Sequence, residues 1–190
     1  MNSEIVFNLI QRSIEVKQKI SKDLCSDINK AINYIENAFK VDRKLLICGN
    51  GGSAADSQHI AAEFVSKFLI ERKALFALAL NCNTSTLTAI GNDYHYDHVF
   101  SRQVEAFGQE NDVLLAISTS GNSKNVLEAA KMARNKKIKI IGMTGISGGK
   151  LKDLCDLCLC IPSEHTPFIQ ESHIMIAHII CEVVEKNLFG

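Results

Sequence analysis

The stretch VLLAISTSGNSKNVLEAA, residues 113–130, decides the fold. Its first five residues are apolar without alternation, the mark of a strand covered on both faces, as in a parallel sheet. The glycine and hydroxyl-rich turn that follows leads into residues with helical spacing, read as a helix from Ser123 to Asn135. The same grammar occurs earlier: Leu45–Cys48 as a strand, then the turn GNGGS at 49–53, then a helix over Ser53–Leu69. Outward from these two units, Leu75–Leu80, Ile138–Met143 and Cys158–Ile161 read as strands. Shorter helical pieces fall between Ser85 and Phe107, and a last helix runs from about Pro167 to Leu188. The first forty residues carry apolar positions at helical spacing (Ile5, Leu9, Ile14, Ile20, then Leu24, Ile28, Ile32, Ile35, Phe39) and predict two helices that break near Ser21 to Asp23. Strand–helix alternation of this kind predicts one α/β domain over residues 1–190, a five-stranded parallel sheet with helices on both faces. Ligands of such sheets bind at the carboxyl ends of the strands.

Composition narrows the function. Lys and Arg together number 21, as do Asp and Glu, so no bulk field draws the chain to nucleic acid or an anionic membrane. An anionic ligand must then be held by a local site. The N-terminus carries Glu4 and Glu15 and lacks the apolar core of a signal peptide. No apolar run approaches the roughly 18 residues of a membrane span. Seven cysteines, an odd number without an export signal, fit reduced thiols in the cytoplasm.

Two turns at strand ends are candidate anion sites. Ser118, Thr119, Ser120 and Ser123 surround Gly121 at a helix start, where free N–H groups and hydroxyls suit a phosphate without a lysine. A plain N-cap needs one hydroxyl, and four are present. Asn50-Gly51-Gly52-Ser53 allows close backbone approach, but it is neither a Walker A loop nor Gly-x-Gly-x-x-Gly, and by itself a simple turn serves as well. On the following helix His59 and Glu63, at i and i+4, share a face and reach one metal ion or substrate. Apolar neighbours predict that this helix is largely buried, where an idle carboxylate would be costly. The last helix offers Gln170, Glu171, His173 and His178, and spacing does not separate site residues from core residues there. Cys155, Cys158 and Cys160 read as small apolar packing residues of a strand and its approach, not as a zinc knuckle. Asp93, His95, Asp97 and His98 read as a polar loop at a strand end.

Taken together, CGNGGSAADSQHIAAEF, AIGND, FSRQVEAFG, DVLLAISTSGNSKNVLEAA, TGISGGK and IQESHIMIAHII resemble the phosphoheptose isomerase family of the sugar isomerase (SIS) fold over nearly the whole chain. The resemblance implies a three-layer SIS-type, flavodoxin-like sheet. It implies an N-terminal helical pair, residues 1–41, used in assembly of a homotetramer, and a core over 42–190. It also implies conversion of sedoheptulose 7-phosphate to D-glycero-D-manno-heptose 7-phosphate, early in heptose supply for surface polysaccharide. One zinc ion per subunit would be bound by His59, Glu63, Gln170 and His178, with Glu63 as base and His178 as acid/base partner. Phosphate would sit on Ser118, Thr119, Ser120 and Ser123, and Asn50, Gly51, Gly52, Ser53, Asn92, Asp93 and Gln170 would line the sugar site. Two departures stand out: Phe168 and Lys67 occupy positions where the family often has arginine. Rival readings are a protein that binds the replication initiator, an isomerase of another phosphosugar, and a phosphosugar sensor.

Overall fold

The computed structural model describes residues 2–190. Five strands alternate with helices: β1 Leu45–Cys48, β2 Ala77–Ala79, β3 Val113–Ile117, β4 Lys139–Thr144 and β5 Leu157–Cys160. Helices are α1 Asn2–Asp23, α2 Cys25–Lys40, α3 Gly52–Val65, α4 Thr84–Asp93, α5 Ser101–Phe107, α6 Lys124–Asn135 and α7 Thr166–Phe189. Short 3-10 segments cover Tyr96–His98 and Gly149–Leu154. Every pairing is parallel and the strand order is β2-β1-β3-β4-β5, the doubly wound arrangement.

Side chains of the central strands alternate between two separate cores. Leu45, Ile47, Val113, Leu115, Ile117 and Met143 face α2, α3 and α7, packing with Ile35, Phe64 and Ile176. Leu46, Cys48, Leu114, Ala116 and Ile140 face the other way, against Phe100, Val104, Val126 and Ala130. The central strands β1 and β3 are apolar throughout because both of their faces are covered.

The expected architecture is observed, with shifts at the ends of elements. β1 and β3 have the expected limits, and α1 gives way to α2 at Leu24. β2 is only three residues long: Leu75 N–H turns away to Phe64 O, and the Leu80 N–H to Ile47 O bond is the last that joins this edge strand to β1. α3 stops at Val65, four residues before the expected Leu69. There Glu185 of α7 accepts from the N–H groups of Phe68, Leu69 and Ile70 at 2.6–2.8 Å. Arg72 donates to the carbonyls of Glu63, Phe64 and Ser66, closing the helix end. The switch in strand order falls between β1 and β3, whose Cys48 and Ala116 are register partners, so the two turns leave the sheet side by side.

Candidate functional site

The turn after β1 uses Gly51 at φ 56°, a left-handed conformation that glycine accepts freely. Asn50 is tied across to α6 by two reciprocal amide hydrogen bonds with the buried Asn125, each 2.9 Å, and Tyr96 Oη reaches Asn50 Oδ1 at 3.4 Å. The two turns are therefore locked into one unit. Asn125 and Tyr96 were not visible as partners in the sequence, because amides 75 positions apart carry no periodic signal.

The serine turn divides its hydroxyls. Ser118 Oγ and Ser123 Oγ lie 3.0 Å apart, and Ser123 N–H donates to Ser118 Oγ. Ser120 Oγ accepts from Asn122 N–H, while Thr119 and Ser120 line a cavity of about 300 Å³. Ser147, Ser163 and Thr166, absent from the sequence expectations, complete its hydroxyl lining. Gly121 has φ 66°, and a β-carbon there would collide with the Gly148 carbonyl, so the turn packs directly on the loop after β4. Gly145 N–H donates to Thr119 O and Leu151 N–H to Gly121 O, fixing that packing.

On α3, His59 and Glu63 share a face as their spacing predicts, and α7 brings His178 against them. His59 Nε2 lies 2.9 Å from His178 Nε2 and 3.3 Å from Glu63 Oε1. One ligand atom from each of the three falls within 4.8 Å of the others. Two imidazole nitrogens and a carboxylate are a borderline-soft, three-donor set suited to a transition-metal cation such as zinc. The lone pairs of two neutral Nε2 atoms this close would repel, and a cation or a shared proton between them removes that repulsion. Glu63 is not buried as expected: its side chain is 22% exposed and that of His59 49%, because Ala62 and Val65 on the same helix face outward. The burial argument for Glu63 thus fails, and convergence with His178 replaces it.

Gln170 reaches this site through a residue that the sequence reading passed over. Its Nε2 donates to both oxygens of Asp56, at 2.7 and 2.8 Å, which assigns the amide orientation and leaves Oε1 as the free acceptor. Asp56 is buried, and burial pushes its carboxyl pKa up against the opposing pull of the Gln170 amide, His59 and His178. The available signal was Asp56 at three residues before His59, on adjoining faces of one helix.

The other α7 candidates go elsewhere. Glu171 turns to α1, where Lys17 Nζ lies 2.8 Å away and Ser13 Oγ also donates to it. His173 is fully buried, its Nε2 3.2 Å from Thr144 O, and burial lowers its pKa to about 4, so it is a neutral core histidine. Asn92 and Asp93 are exposed at the end of α4 and hydrogen-bonded to each other. His95 accepts from Asp97 N–H and organises its own loop. Phe168 packs at a tilt against His165 and lies beneath the Arg12 guanidinium of α1, 5.3 Å from its ring centre.

Residues 9–145 match the family model described as SIS domain. A phosphoheptose isomerase of Clostridium acetobutylicum is 58% identical over 95% of this chain and 93% of the relative. The phosphoheptose isomerase structure from Neisseria gonorrhoeae superposes with a TM-score of 0.93 at 43% identity, covering 98% of this chain and all of that one. That from Francisella tularensis gives 0.95 at 34% identity, covering 98% and 99%. A doubly wound sheet, a hydroxyl-rich turn at its switch point and near-complete coverage by these relatives agree: the chain belongs to the phosphoheptose isomerase family of SIS-domain proteins.

Proposed function

We propose that the chain is an aldose–ketose isomerase converting sedoheptulose 7-phosphate to D-glycero-D-manno-heptose 7-phosphate through an enediol(ate). The observation that carries this reading is the convergence of His59, Glu63 and His178, in a chain 58% identical to a phosphoheptose isomerase. The same relatives do not favour the initiator-binding reading.

The reaction needs a base for the proton next to the carbonyl, an acid for its oxygen, and stabilisation of the charge formed between them. Glu63 is assigned as base and His178 as the group that exchanges the oxygen-bound proton. His59, Glu63 and His178, with Gln170 Oε1, would hold one zinc ion, which when bound supplies Lewis-acid polarisation of the carbonyl. A carboxylate shared with a bound cation would be a weaker base, so zinc held there would temper the basicity of Glu63. Asp56, by gripping the Gln170 amide nitrogen, keeps Oε1 available. Ser118, Thr119, Ser120 and Ser123, with the N–H groups at the start of α6, are assigned to the phosphate. Gly51, Gly52, Ser53, Asn92 and Asp93 are assigned to the sugar chain. Asn50 is included as the tie that holds both turns together, since its amide is already paired with Asn125.

The N-terminal pair is assigned to assembly of a tetramer with sites at subunit contacts. Its support is the run of α1 side chains Ile5, Val6, Phe7, Leu9, Ile10 and Ile14, each 40–60% exposed. No helix among the described residues is long and apolar enough to cross a membrane. We place the enzyme in the cytoplasm, early in the supply of heptose to surface polysaccharide.

NMR of the protein with sedoheptulose 7-phosphate in D2O, with and without added zinc, tests the reading. New aldose anomeric signals, with deuterium at the carbon next to the carbonyl, are expected. Folded, zinc-loaded protein that gives no conversion would overturn it.

A further inference from the structure

Beyond Cys48 and Ala116, the last register partners of β1 and β3, no ladder holds the two turns together. One contact takes over. Asn50 Nδ2 donates to Asn125 Oδ1 and Asn125 Nδ2 donates to Asn50 Oδ1, each at 2.9 Å. Among the described residues, no other hydrogen bond joins residues 49–53 to residues 118–125. Asn125 is 3% exposed, so water does not replace a lost partner, and its Oδ1 also accepts from Val126 N–H at 3.0 Å. An amide donates and accepts within one plane, so neither aspartate nor leucine at 125 reproduces both bonds. The pair also lies between the groups that the isomerase reading assigns to the two ends of the substrate. Asn125 stands two residues beyond Ser123, in the first turn of α6. Asn50 directly precedes Gly51 and the start of α3, where a β-carbon on Gly52 would stand 3.4 Å from Gln170 Cγ. Contacts thus run from Gln170 and α3, through Asn50 and Asn125, to the serine turn.

We propose that Asn125 is a positioning residue for sugar chain length. Through Asn50 it fixes the distance between the serine turn and the site on α3, and so selects a seven-carbon phosphate over shorter ones. The inference rests on the isomerase reading and deepens it. Each carbon of an extended chain adds roughly 1.3 Å, given a C–C bond of about 1.5 Å. A misplacement of about 1 Å at a reacting centre costs on the order of 100-fold. A span held by two short hydrogen bonds therefore separates chains that differ by one carbon, and a span free to shift does not. Asn125 is buried and acts through Asn50, not on the substrate.

The test measures kcat/KM for sedoheptulose 7-phosphate and for D-fructose 6-phosphate, using the full chain with zinc added. Where hexose turnover is too slow to follow, its inhibition constant against the heptulose supplies the comparison. In Asn125→Leu the preference for the seven-carbon sugar should fall at least about tenfold. Asn125→Asp keeps the shape and one of the two bonds, and its preference should lie between. It also serves as the test variant if the leucine variant does not fold. A purely structural role would lower both sugars by the same factor and leave their ratio unchanged. That result, with the wild type converting the heptulose, would overturn the role given to Asn125 alone. Wild-type protein that converts neither sugar would instead defeat the isomerase reading itself.

Discussion

Two polar clusters join α3 to α7, His178 and Glu185 being seven positions apart, about 10 Å along the axis. At one, the Glu185 carboxylate receives three backbone N–H groups and Arg72 Nε, and Arg72 donates its remaining hydrogens to carbonyls at the end of α3. Both side chains are almost fully buried, at 1% and 2% exposure. At the other, His59, Glu63 and His178 are partly open and have few partners besides one another. The first cluster satisfies each of its charges internally, as a buried pair must to offset desolvation. The second leaves lone pairs converging on a single point, the arrangement that the proposed cation site would use. A glutamate in each cluster thus has a different standing according to whether its hydrogen bonds are complete.

The strongest way to break this contrast is Glu63→Gln. We expect isomerisation to fall by about 10²–10⁴ while the thermal transition scarcely moves, because a general base accounts for that much rate and the carboxylate is only half-buried. Normal turnover, checked by the NMR assay, would remove Glu63 from its assigned role. Glu185→Gln should show the reverse pattern. Urea unfolding should reveal a loss of about 3–5 kcal/mol, the cost of breaking a buried pair, with the folded fraction still turning over substrate.

That deficit should depend on pH. Burial pushes the Glu185 carboxyl up, but the N–H groups of Leu69, Phe68 and Ile70 and the Arg72 guanidinium outweigh it and hold it below the usual range. A lowered folded pKa means that the stabilisation is complete above the unfolded value near 4.3, and is lost as pH falls through the folded one. Unfolding curves of the wild type and Glu185→Gln should therefore converge in acid. A gap that stays constant with pH would show that packing, not charge, makes the clamp.

Zinc at about 100 times its dissociation constant should stabilise the native chain by about 2.7 kcal/mol, and His59→Ala should abolish most of that shift in a thermal melt. An equal shift in the variant would move the cation elsewhere. The smallest effect is expected at the serine turn. Ser123→Ala removes one hydroxyl among several, for about 1 kcal/mol or roughly fivefold in KM, with kcat nearly unchanged. A large kcat effect would bring that turn into the chemistry itself.

The strands β1 and β3 were legible to the residue because a short apolar run bounded by glycine and hydroxyl residues admits few alternatives. His59 and Glu63 were legible as a pair from helical spacing alone. On α7, spacing left Gln170, Glu171, His173 and His178 undecided, and only packing separated them. Glu171 meets Lys17 of α1, His173 sinks beneath β4, and Gln170 and His178 turn to α3. Asp56 escaped notice since a buried aspartate next to apolar residues has no signature until its amide partner, 114 positions away, is in place.

By itself the sequence determined the strand–turn–helix units, their parallel arrangement and the position of both turns at strand ends. These depend on local hydrophobic period and turn chemistry, which act within a few residues. Tertiary structure decided where α3 ends, which histidine is core, that Asn50 belongs to Asn125, and that Cys155 and Cys158 share the space above Gly142. Each of these is a pairing of groups on different elements. Whether a polar side chain is satisfied depends on partners that only the folded chain brings within hydrogen-bonding distance.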